Sequence, residues 1–344
     1  MIKISPMTRR RLHAFKANRR GFFCTWGFLL LFLLTLPAEF IANDRPLFIR
    51  LENQNFFPIF KNYQESDFGS FLPLSANYHD EALIQLIEEQ NGFILWPPHR
   101  YSYDTIIDDV PVSPAPPSLV HPLGVDAKSR DVLANIIYGL RISILFGLLL
   151  TVITTSSSVA FGAAQGYFGG WFDLVSERVL EVWSSIPLLF VLILLASIFT
   201  PSFWSLLFLF FIFSWFSGAS VVRTEFYRAR NFDYVKAARA LGFSHITVIF
   251  KHVLPNAMVA TLTFLPFSLA GSVSALSSLD YLGFGLPPGA PSLGDMALQA
   301  RNNLDAPWIA FSVFTALGGL LMLLIFVGEA IRDAFDPRKT LGEF

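Results

Sequence analysis

Long apolar runs dominate this sequence: residues 22–42, 141 or 142 to 163, 174–199, 202–222, 257–279 and 308–331. Each has about 20 residues or more, enough for a helix to cross the roughly 30 Å hydrocarbon core of a bilayer. In lipid the backbone must satisfy its own N–H and C=O groups, so such runs fold as helices. The reading is an all-α membrane protein with six transmembrane helices. Composition agrees. Of 344 residues 53% are hydrophobic and only 15% charged, where soluble domains average about 25% charged. The net charge is −1, which gives no basic field to attract nucleic acid. The lone cysteine, Cys24, excludes an intrachain disulfide and reads as a small buried hydrophobe.

Charge orients the runs. Residues 1–21 carry Lys3, Arg9, Arg10, Arg11, Lys16, Arg19 and Arg20 with no acid, a cytoplasmic basic tail by the positive-inside rule. Residues 22–42 read as an uncleaved first span, because Pro37-Ala38-Glu39 lacks a small-x-small cleavage pattern. Residues 43–129 are too polar to span and richer in acids than bases, so they lie outside as an insert. A helix is expected over 79–90 and an extended linker over the Pro-rich 111–117. The insert reads equally as a cap on the helix ends or as a docking surface. Residues 130–331 hold helices 2–6. The loop 223–256, with Arg223, Arg228, Arg230, Lys236, Arg239 and Lys251, and the tail 332–344 fall on the cytoplasmic side. The short turn 166–173, with Gly169-Gly170, lacks that basic mark.

Polar groups inside the runs are few. Glu177, Arg178 and Glu181 open the third run, where charge is costly unless paired or at the interface. Glu177 and Glu181 repel at i, i+4 unless a cation lies near both. An interhelical network or a subunit contact would each account for them. Pro187 should kink that helix. The fifth run is rich in Ser, Thr, Ala and Gly, suited to close packing or to lining a polar path. There is no Gly-x-x-x-x-Gly-Lys-Ser/Thr loop, no zinc-ligand spacing and no nucleophile constellation. The chain is therefore expected to be no enzyme and to need no metal or cofactor. Energy must come from another subunit.

A polar, basic island at 231–256 separates the fourth and fifth runs. Good helix formers fill 234–241, and Gly242 breaks that helix. A second amphipathic turn carries Ile246, Ile249, Phe250 and Val253, and Leu254-Pro255 should stop it. The product is a helix–turn–helix knob. Ala237-Ala238, Gly242 and Leu254-Pro255, in that spacing, resemble the EAA loop of ABC-importer permeases. Lys236 stands where the family pattern has Glu, and His252 where it has Ile. The run His121-Pro-Leu-Gly-Val-Asp126, continuing through Arg130-Asp131, resembles a segment of dipeptide and oligopeptide permeases, with Ser129 in place of a glycine. The Gly/Pro-rich loop 282–294 resembles the same family.

The resemblance covers His121 to Lys339 with the first span. It implies the type I ABC-importer permease fold, six helices with a periplasmic insert after the first, in a bacterial inner membrane with both termini cytoplasmic. It implies a cytoplasmic ABC ATPase docking on Tyr234, Ala237, Ala238, Gly242, Leu254 and Pro255. It also implies a second, different permease subunit, a periplasmic peptide-binding protein, surrounding membrane lipid and a peptide substrate. The long insert is similar to that of the Yej-type subgroup, which imports peptides and peptide-like antibiotics such as microcin C. The rivals are a secondary-active transporter or a structural membrane subunit. The former should show internal repeats and broken helices at the midplane.

Overall fold

A computed structural model describes residues 6–51, 54–69, 71, 74–108, 110–196, 198 and 200–336. In chain order the helices and strands are α1 (Pro6–Ala17), α2 (Arg19–Thr35), α3 (Ala38–Ile41), β1 (Phe48–Leu51), β2 (Gln54–Phe56), α4 (Glu81–Glu89) and β3 (Phe93–Leu95). Then come α5 (Val132–Phe168), α6 (Gly170–Ser184), α7 (Leu188–Ala196), α8 (Phe203–Ala229), α9 (Asp233–Ala240) and α10 (His245–Thr247). A π-helical segment, Val248–Val253, leads into α11 (Leu254–Tyr281), followed by α12 (Leu293–Asn302) and α13 (Pro307–Phe335). Among the described residues, α5, α8, the run His245–Tyr281 and α13 are long and apolar enough to cross a membrane. The pair α6 and α7, bent by 59° at the break before Pro187, can count as a fifth crossing. α2 ends at Thr35, and Pro37, which cannot donate into a continuing helix, separates it from α3.

The chain forms two compact units. The first comprises Ser143–Pro287 with Met1–Leu29 and Gly318–Phe344. Within it α5 and α8 touch backbone to backbone. Gly162 and Gly166, one turn apart on α5, press against the α8 backbone. A Cβ at Gly162 would meet the Ala219 carbonyl oxygen at 2.4 Å, and one at Gly166 the Arg223 carbonyl oxygen at 2.4 Å. Ser158, a turn earlier, donates its hydroxyl to the Trp215 carbonyl. Small residues at this spacing let backbones touch where lipid gives no hydrophobic drive to associate. α8 does not stop near Val222 but runs on to Ala229. Its Arg223 holds Asp173 of α6 through two bonds, Nη2 to Oδ2 at 2.9 Å, and approaches Glu177 at 3.6 Å. Arg178 pairs with Glu181. The two glutamates that the sequence sets in repulsion thus have separate cations.

The second unit comprises Leu30–Ile142 and Pro288–Leu317. It corrects the all-α expectation. β1 pairs antiparallel with β2 and with β3, in the order β2-β1-β3. Phe48-Ile49-Arg50-Leu51 alternates in burial with period two, and strands of three or four residues fall below the length at which that alternation stands out. Ile49, Leu51, Phe56, Phe68, Tyr78, Leu83 and Ile87 form its core. α4 begins one residue after Asp80, whose side chain accepts the Ala82 N–H at 2.9 Å.

The run from His121 to Asp131 is a hydrogen-bonded turn. Asp126 accepts the amides of Lys128 (2.8 Å) and Arg130 (2.9 Å), and Gln299 of α12 donates to it at 3.2 Å. Ser129 has φ +56, a left-handed conformation that costs a side-chain-bearing residue about 1–2 kcal/mol and explains the glycine of the family pattern. Asp131 is fully buried. His99 approaches it at 2.9 Å, His121 at 2.8 Å, and the Ala134 amide donates at 2.9 Å. Burial pushes the Asp131 carboxyl up, but the His99 hydrogen bond and charge, with the Ala134 and His121 bonds, outweigh it and hold the group below the ordinary 3.8.

Substitutions at three positions have expected outcomes. Gly166→Val forces the α5 and α8 backbones apart and lowers the thermal midpoint of the solubilised protein, by an overpacking cost of about 1–3 kcal/mol. Gly318→Ala, whose Cβ would meet nothing within 4 Å, leaves it unchanged or raised. Asp131→Asn costs about 2 kcal/mol at neutral pH by weakening charge-assisted bonds. Because the folded carboxyl sits below 3.8, its stabilisation is complete above the unfolded value and is lost as pH falls through the folded one. Melting curves taken across that acid range should fall in the native protein and flatten in the variant.

Candidate functional site

The island between α8 and α11 folds as a compact knob within the first unit. α9 ends in a Schellman turn. Gly242 lies at φ +79, its N–H bonds the Arg239 carbonyl at 2.9 Å, and the Phe243 N–H bonds the Ala238 carbonyl at 3.2 Å. Ser244 then caps α10, its hydroxyl oxygen accepting the Thr247 N–H at 3.3 Å. The expected stop at Leu254-Pro255 does not occur. The helix continues through both residues into α11, with the π segment immediately before them. A regular α-turn would drive the Pro255 ring towards the Lys251 carbonyl, and the wider π winding relieves that clash.

The knob has an anchored face and an open one. Val235, Ala238, Val248, Val253 and Ala257 are buried against Ala163 and Tyr167 of α5 and Val222, Phe226 and Ala229 of α8. The Tyr167 hydroxyl meets His245 Nδ1 at 2.9 Å, and the Arg239 guanidinium lies 4.7 Å above the Tyr167 ring. Arg230 donates to the Gly166 and Tyr167 carbonyls at 3.3 and 3.5 Å, satisfying acceptors that the end of α5 leaves open. On the open face Leu241 is 77% exposed, Ile246 71% and Phe250 65%, with Phe243 and Tyr234 beside them in the exposed set.

The six residues expected to carry coupling divide between these faces. Tyr234, Ala237, Gly242 and Pro255 are exposed. Tyr234 ties α9 to α11, its hydroxyl accepting from Asn256 Nδ2 at 3.2 Å. Ala238 is buried in the anchoring core, and Leu254 packs half-buried against it. Of the apolar set expected on one face, Ile246 and Phe250 point outward while Val253 is buried. The π segment breaks the 3.6-residue period on which that expectation rested. Tyr167 and Arg230 were not expected as anchors. Both lie in segments read as a bare turn or a basic flank, and only their packing distinguishes them. Among the described residues no group of His, Cys, Asp or Glu could hold a metal ion.

The family model for binding-protein-dependent transport system inner membrane components matches residues 158–341. The inner membrane ABC transporter permease protein YejE of Escherichia coli is 52% identical over 343 residues, which cover 99% of this chain and 100% of that one. The peptidoglycan transport system permease protein YejE of Agrobacterium fabrum is 49% identical over 361 residues, covering 98% and 94%. The oligopeptide transport system permease protein OppC of Lactococcus lactis is 32% identical over 231 residues, covering 66% and 78%. With matches of this length and a knob built on the spacing of Ala237-Ala238, Gly242 and Leu254-Pro255, the chain belongs to the binding-protein-dependent transport system inner membrane components, the permease subunits of type I importers.

Proposed function

We propose that this chain is one of two different permease subunits in an ATP-driven importer of peptides or peptide-like compounds, microcin C among them, and that an ABC ATPase grips the knob at 231–256. The observation that carries this reading is the knob's division into a fixed face and an open apolar one. Leu241, Phe243, Ile246 and Phe250 stand exposed on a segment pinned by its own Schellman turn, and an exposed apolar patch on so rigid a support suits a protein partner. Its basic residues favour a cytoplasmic position. The topology that accompanies it has six crossings, with α2 and α3 as the first and the bent α6–α7 pair as the third. Both termini are cytoplasmic, and residues 43–129 form a periplasmic insert within reach of a substrate-delivery protein.

In this mechanism closure of the ATPase domains displaces the knob as one body. Tyr167, Arg230 and the buried valines pass that displacement to α5 and α8, and the continuous helix from α10 passes it to α11. Nucleotide then shifts the population between outward- and inward-facing states. A secondary-active transporter would work without the ATPase. The importer should carry an ATPase and a second permease through purification in mild detergent, and an active preparation containing this chain alone would overturn the reading.

Substitutions at two positions probe the knob. A Cβ at Gly242 would meet nothing within 4 Å in this chain, so a side chain there starts into open space on the face offered to a partner. Gly242→Leu is expected to insert and fold, at a left-handed strain cost of about 1–2 kcal/mol, and to lose peptide uptake in proteoliposomes. Gly242→Asn, which tolerates that conformation better, should keep more. Tyr167→Ala removes the anchor and should cost about 3 kcal/mol locally. Amide exchange over α9 and α10 should accelerate, and ATP hydrolysis should continue with little transport.

A further inference from the structure

A cavity of about 400 Å³ opens among α5, α8 and α11, within the size range of small-ligand sites. Phe210 and Phe264 contribute apolar walls, and hydroxyl-bearing side chains make up more than half of the lining. None of the described residues lining it carries a formal charge. The state of the hydroxyls decides what they can bind. Thr154 donates to the Leu150 carbonyl at 2.7 Å, Ser217 to the Ser214 carbonyl at 3.1 Å and Ser272 to the Ser268 carbonyl at 2.9 Å, and Ser158 donates to Trp215. A hydroxyl has one proton and two acceptor lone pairs. With their protons committed to helix carbonyls, these four side chains present oxygen acceptors to the cavity. Gly271 adds no bulk to its wall, since a Cβ there would meet nothing within 4 Å.

Such a surface complements N–H donors. A side chain of either sign finds no charged partner to favour or reject it. The ligand that fits is an extended chain with N–H groups at regular spacing and variable side chains.

We propose that this cleft holds the peptide in transit by accepting hydrogen bonds from its main-chain N–H groups and α-ammonium, and that it is indifferent to side-chain charge. The proposal rests on the importer reading above and assigns the peptide-contacting hydroxyls within it. Filling of the same cleft by a neighbouring helix is the alternative occupant.

Thiol protection in the permease–ATPase complex tests it. In a Cys24→Ala background, Ser217→Cys and, as a second position, Ser272→Cys are labelled with a water-soluble maleimide. The complex is solubilised without its binding protein, so delivery does not select the peptide. Trialanine should slow labelling severalfold, and tripeptides with a central lysine or glutamate should protect equally. Trialanine N-methylated at both internal amides should protect far less. If labelling is unaffected by any peptide, or both thiols are inaccessible, in a complex that imports trialanine in liposomes, the cleft is not the peptide's site. Protection that follows side-chain charge also overturns the proposal. A wild-type complex that, supplied with its binding protein in liposomes, hydrolyses ATP and moves no peptide fails the importer reading itself.

Discussion

Backbone contact between α5 and α8 is the constraint from which the first unit follows. Lipid is as apolar as the leucines facing it, so helices in a bilayer associate through close van der Waals fit. Gly162 and Gly166 supply that fit against Ala219 and Arg223. Everything beyond the contact inherits its geometry. Tyr167 follows Gly166 by one residue, and Phe226 follows Arg223 by three. Together they form the floor on which Val235, Ala238, Val248 and Val253 pack. A knob built on a looser pair would keep its own helices and lose its bearing on the spans.

Charge supports the same arrangement from the other side of α8. Taking Asp173 and Arg223 out of water is costly, and their attraction offsets that only with good geometry and further bonds. The pair meets this requirement with two parallel guanidinium–carboxylate bonds, and Glu177 adds a third, longer contact. The network joins α6 to α8 where α6 has just left the turn at Gly169. A single-sequence view sees only acids crowded into the start of an apolar run, because Arg223 lies far along the chain and its pairing is tertiary.

What the sequence made legible was whatever depends on local chemistry. Apolar length marks α5, α8, α11 and α13, Pro187 marks the bend, Gly242 the left-handed turn, and the helix expected over 79–90 is α4. Four features escaped, each for a physical reason. The apolar window measures hydrocarbon thickness, so α5 runs on past Ala163 to Phe168 and α8 past Val222 to Ala229. The π segment has no residue signature beyond the Pro255 that follows it, and its wider winding turns Phe250 away from the stripe that holds Val253. The sheet of the second unit is built from strands too short to show their period. Ser129 takes a conformation that its residue type disfavours, so only its place in a turn closed by Asp126 explains it.

Lys236 bears on how the knob would be read by a partner. The family pattern has a carboxylate at that place, and its replacement by a cation looks like a reversal of charge. The structure gives a different account. Asp233, one turn earlier on α9 and fully exposed, lies 3.6 Å from the Lys236 ammonium. Residues three apart share one helix face, so an acid stands on the same face of α9 as the Lys236 ammonium. An exposed pair of this kind contributes little to stability and is available to re-pair across an interface. A surface meeting this knob therefore needs apolar complementarity to Leu241, Ile246 and Phe250 first, and it can satisfy either sign of charge beside them.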